Sequence, residues 1–162
     1  MKRIWKVIRE LYSHSPIPWD KIRALEERSC ALKVKGDVAA MIAVQEEVAR
    51  LLEADSAGAE EAAMAWNYVA DLNFQLGNDE AAERAARRSV SLCKEHLPDM
   101  DNCLGLFLRT LSLALKRQGR FSEATQYAEE ALRHDALWQA DEQVIAARRT
   151  LEKYVRDQIR KG

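Results

Sequence analysis

Proline is nearly absent, with three residues in 162, and glycine is scarce, with six. A chain this poor in the two strongest helix interrupters has few places at which a helix must stop. Valine and isoleucine are sparse and form no β-branched run, so no strand is predicted. Cysteine is limited to Cys30, Cys93 and Cys103, an odd number without a CxxC pair. That argues against a disulfide framework and fits a reducing compartment; the three read as small apolar helix residues, with a Cys93–Cys103 redox pair across the Pro98 turn as the second reading. Neither sign of charge is in excess: 26 acids stand against 25 bases, for a net charge of −1. No overall field draws the chain to nucleic acid. No uncharged run approaches the roughly 18 residues of a membrane span. Ile4, Trp5, Val7 and Ile8 are broken too soon by Lys6 and Arg9 to form a secretory leader, so cytoplasmic residence is the expectation.

Alanine, leucine, glutamate and arginine dominate, and the composition of 48% hydrophobic and 31% charged residues suits a folded chain. The fold class is all-α. Periodicity and breakers predict eight helices, at 2–13, 19–35, 37–54, 59–76, 79–97, 101–118, 121–134 and 139–160. Pro16 and Pro18 separate the first two, and Pro98 ends the fifth. Gly36, Gly77 and Gly119 each follow an apolar helix at the place of a left-handed residue. Connections this short make successive helices antiparallel.

The same glycines mark a repeat, since they are 41 and 42 positions apart. Such a period is one helical hairpin long and signals an α-solenoid. Small residues, Ala70 or Ser112 on the first helix of a hairpin and Ala82 or Ala124 on the second, let the two axes approach. Trp66, Leu108, Leu111, Leu115 and Phe121 are expected to fill the space between hairpins. The stripe Val144, Ala147, Leu151, Val155 and Ile159 reads as one buried face of a C-terminal capping helix. Ile4, Val7, Ile8, Leu11 and Tyr12 give its N-terminal counterpart.

Residues 105–132 carry the string LKRQGRFSEATQYAEEAL, with Leu108, Leu111, Ser112, Leu115, Gly119, Phe121, Ala124 and Leu132 at characteristic spacings. In these residues the chain resembles the tetratricopeptide repeat (TPR) family. Trp66, Ala70, Gly77 and Ala82 extend the resemblance to 63–90, with Asp79 where an aromatic residue is usual. Leu25, Ser29, Leu32 and Gly36 extend it more loosely to 22–54. The spacing of 42 residues is similar to that of kinesin-light-chain repeats. The resemblance implies a single domain over 1–162. It divides into an N-terminal helix and Pro linker (1–18), a degenerate repeat 1 (19–58), repeat 2 (59–100), repeat 3 (101–138) and a capping helix (139–162).

It also implies that first helices line a concave groove, with Met64, Asn67, Asp71 and Phe74 from repeat 2 and Leu106, Arg109, Leu113 and Lys116 from repeat 3. The degenerate repeat contributes Arg23, Glu26, Cys30 and Lys33. Asn67 can bond a peptide backbone, and Arg109 and Lys116 can hold a carboxylate. Trp5, Trp19, Trp66 and Trp138 are read as packing residues. His14, His96 and His134 lie at helix ends, where the dipole accounts for them. Glu46–Glu47 and Glu60–Glu61 read as solvated charges, because adjacent helix residues diverge. No HxxxH, HExxH, P-loop, GxGxxG or GxSxG motif occurs, so no enzyme, metal or cofactor is expected. The expected role is a protein–protein interaction module or adaptor scaffold holding a peptide or partner protein in the groove. The alternative is a regulatory homo-oligomer or assembly factor that self-associates through the groove or its terminal helices.

Overall fold

The computed structural model describes residues 17–97 and 101–135. Among these residues the chain is helical throughout, without a strand. Six α-helices follow one another: α1 (Trp19–Lys35), α2 (Val38–Leu52), α3 (Ala59–Gln75), α4 (Asp79–His96), α5 (Asp101–Arg117) and α6 (Phe121–Asp135). They match the six predicted segments between 19 and 134, with ends displaced by at most two residues. The terminal helices predicted at 2–13 and 139–160, and the Pro98 turn, lie outside the described residues. One unpredicted element, a 3-10 turn at Ser56–Gly58, leads into α3.

Each hairpin bends by the same device. Gly36, Gly77 and Gly119 have φ of 72°, 73° and 76°, the left-handed region that a Cβ disfavours. At the second bend the Gly77 amide donates to Phe74 O at 3.1 Å and the Asn78 amide to Asn73 O at 2.9 Å. At the third, Gly119 donates to Lys116 O and Arg120 to Leu115 O, both at 3.0 Å. Gly36 and Asp37 repeat the pair of bonds to Lys33 and Leu32. This double bond closes the last turn of a helix and satisfies carbonyls that otherwise lack partners. The bends at Gly77 and Gly119 are therefore equivalent, as the repeat requires.

Each helix packs on its neighbours in sequence, and α3 also touches α5. First helices α1, α3 and α5 thus form one layer, and second helices α2, α4 and α6 the other. Between them lies a core in which Ala70, Ala82, Ala86, Ala124, Ala128 and Ala131 are fully buried with Phe107, Leu108, Leu111 and Leu115. The predicted small residues stand where helices cross. At the third crossing the Ser112 hydroxyl donates to Ala124 O at 2.7 Å, a bond that requires α5 and α6 to approach closely. Phe121 departs from expectation: it is 47% exposed instead of filling the space between hairpins. It is the first residue of α6, beside the Gly119 bend, where no further turn covers it. Trp19 and Trp66 are half-buried against the core, and Trp66 donates its indole N–H to Glu53.

Gly58 fits a tight junction between α2 and α3. A Cβ placed there would lie 2.5 Å from Leu52 O and 2.9 Å from Ile17 Cδ1.

Candidate partner-binding face

The eight predicted contact residues all lie on first helices, Met64, Asn67, Asp71 and Phe74 on α3 and Leu106, Arg109, Leu113 and Lys116 on α5. Their steps of three and four residues keep each set of four on one face of its helix. Arg23, Glu26, Cys30 and Lys33 follow the same register on α1 and are all exposed. Contact between α3 and α5 brings two of these faces side by side.

Two large apolar side chains stay wet on that double face, Met64 at 45% and Leu113 at 46% exposed. Leu106 and Phe74 are half-buried beside them. The other exposed large hydrophobics among the described residues, Val34, Leu76 and Phe121, stand within two residues of a bend glycine. Apolar surface left open mid-helix on adjacent elements, by contrast, is what a docking surface offers.

Asn67 sits deeper than its expected role suggests. It is 7% exposed, and its Oδ1 is buried without a hydrogen-bond partner among the described residues. Leaving a buried amide oxygen unsatisfied costs on the order of 1–3 kcal/mol. Nearby Asn73 shows the ordinary solution, donating Nδ2 to Val69 O at 2.9 Å. Asp71, one turn beyond Asn67, is reached by solvent, yet surrounding protein removes enough water to push its carboxyl above the usual range.

The cations of this face are engaged elsewhere. Arg117 pairs with Asp79 at 2.5 Å and lies over the Phe74 ring at 5.3 Å from its centroid. Arg109 and Lys116 each interact with another residue, so neither is a free cation.

Glu60 belongs to the same stripe, one turn before Met64, although its pairing with Glu61 reads from sequence as plain solvation. Burial and the Glu60 charge both raise the Cys103 thiol of α5, which places Glu60 toward the α3–α5 seam. Counting four residues back from Met64 finds it. Cys93 is buried as expected of a small apolar residue, whereas Cys30 is exposed.

The outer layer carries a different arrangement, whose links between hairpins have no local sequence signal. Glu83 of α4 accepts from Gln118 Nε2, Arg87 Nε and Arg120 Nη1, all at 2.8 Å. Burial works to raise its carboxyl, but these donors outweigh it and hold Glu83 below the ordinary glutamate value. Arg120 also grips Glu123 at 2.6 Å, and Arg87 bonds the Tyr127 hydroxyl at 3.2 Å. Arg88 clamps Glu53 with bonds of 3.0 and 2.7 Å, and Lys94 meets Glu130 at 2.7 Å. Glu83–Arg87 and Arg120–Glu123 are local pairs, whereas the others join residues between 35 and 40 positions apart across the hairpins, beyond any helical period.

Among the described residues no group of three His, Cys, Asp or Glu side chains could hold a metal ion, and no helix is long and apolar enough to cross a membrane. His96 and His134 lie in the last turns of α4 and α6, as expected.

Residues 107–133, spanning most of α5 and α6, match the family model of the tetratricopeptide repeat. The match falls on the hairpin that carries the characteristic string. No curated protein matches the chain.

Proposed function

We propose that this tetratricopeptide-repeat chain, a protein-interaction module in kind, works as a non-catalytic adaptor that holds a peptide or partner protein in the groove formed by α3 and α5. The observation that carries the reading is Met64 and Leu113, both about half exposed in mid-helix on neighbouring first helices, with the unpartnered Asn67 amide between the turns. Apolar side chains supply contact area there, and a buried polar group without a partner gains one when an occupant arrives. Leu106 and Phe74 would border the contact, and Asp71, Arg109 and Lys116 would set its polarity.

The test is affinity capture from native extract, followed by titration of the captured protein. Asn67→Ala combined with Arg109→Ala should keep the helical circular-dichroism spectrum and weaken binding at least about tenfold, as expected for central interface positions. Unchanged affinity would move the site off this face. Self-association through the same surface predicts instead a mass that rises with concentration in sedimentation, with the double variant monomeric.

A further inference from the structure

The stripe Glu60, Met64, Asn67 and Asp71 runs along α3 in steps of four, three and four residues, one face of the helix over three turns. Its polar members are all hydrogen-bond acceptors or an amide. None has an ion pair or hydrogen bond among the described residues, although ion pairs bind most acids of the outer layer. Asn67 is the most telling member. It is more than nine-tenths buried, and its Oδ1 has no partner among the described residues. A half-turn about its terminal side-chain bond exchanges oxygen and nitrogen, so the amide can turn its acceptor to an occupant.

We propose that this α3 stripe receives a basic, partly apolar peptide segment of a partner protein, with Arg or Lys side chains against Asp71, Asn67 and Glu60 and an apolar side chain against Met64 and Leu113. The inference rests on the groove reading above and specifies its ligand. Charge complementarity carries it. A guanidinium offers five donors and no acceptor, so it can satisfy a carboxylate and a neighbouring amide oxygen together. The raised carboxyl of Asp71 agrees, because burial raises it and no cation among the described residues offsets that. An acidic occupant would instead need free cations, and Arg109, Lys116 and Arg117 are already engaged.

The experiment is selection from a random peptide library displayed on phage, with the full chain as bait. A Glu60→Gln, Asp71→Asn variant serves as second bait, and Glu129→Gln, an exposed acid of α6, as charge control. Peptides recovered by the native chain should be enriched in Arg and Lys beside apolar residues. Titration of the best peptide should show affinity about tenfold weaker for the double variant, the size of a lost charge-assisted contact, and unchanged for Glu129→Gln. Circular dichroism of both variants should match the native chain. Recovery of acidic or neutral peptides, recovery of none, or equal affinity for the double variant would overturn the inference. Acidic peptides whose binding is lost in Asn67→Ala, Arg109→Ala would overturn only the ligand class and leave the groove standing.

Discussion

On the outer layer, Glu83 of α4 gathers three donors, one from α4 and two from the α5–α6 bend, and its carboxyl is held low. On the inner layer, Asp71 of α3 has no ion pair among the described residues, and its carboxyl is pushed up. The two acids stand on the paired helices of a single hairpin. The difference shows which charges serve cohesion and which do not. Glu83, Glu53 and Glu130 tie one hairpin to the next, whereas Asp71 and Glu60 make no ion pair among the described residues.

Substitutions can break or sharpen that contrast, and the largest effect should come from the core both layers share. Leu111→Ala removes a side chain buried between them and should destabilise by roughly 2–5 kcal/mol in urea unfolding, the usual range for such truncations. Next comes Glu83→Gln, which leaves three donors facing a neutral amide. A loss of about 1–3 kcal/mol is expected, the range for hydrogen-bonded charged groups.

The Glu83 loss should depend on pH with a definite sign. Because folding lowers the Glu83 carboxyl below 4.5, its contribution is present above that value and disappears as pH falls through the lower folded value. Native chain and variant should therefore converge in stability under acid. Arg88→Gln opens the clamp on Glu53 at a more exposed place and should cost about 0.5–1 kcal/mol, less in high salt.

Smallest is Asp71→Asn, expected within about 0.5 kcal/mol of the native chain. Its sign should be opposite. Folding raises the Asp71 carboxyl, so the ionised form opposes folding at neutral pH and the variant is equal or slightly more stable there. That advantage should fade as pH falls through the raised folded value toward 3.8. A clear destabilisation by Asp71→Asn at neutral pH would erase the contrast between the layers.

The helices and bends were legible because their causes are local. Gly36, Gly77 and Gly119 announce left-handed bends, and Ala70, Ala82, Ser112 and Ala124 announce close crossings through size alone. Phe121 was misread because a large apolar residue at the first position of a helix lacks the preceding turn that would cover it. The face of Met64, Asn67, Asp71 and Phe74 follows from register, but the depth of Asn67 depends on how neighbouring helices lean, which spacing does not encode. The Glu83 cluster was illegible for another reason. Arg87 stands one turn from Glu83 on the same helix, but Gln118 and Arg120 come from the next hairpin, and only stacking brings them in.

The crowding around Gly58 has its own consequence. Any side chain there would drive into the Leu52 carbonyl and dislodge Ile17, so this joint tolerates one amino acid alone. Ile17, two residues ahead of α1, is thereby wedged against the doorway between the first two repeats. A change at position 58 should loosen the front of the stack before it touches the hairpin that begins at Asp101.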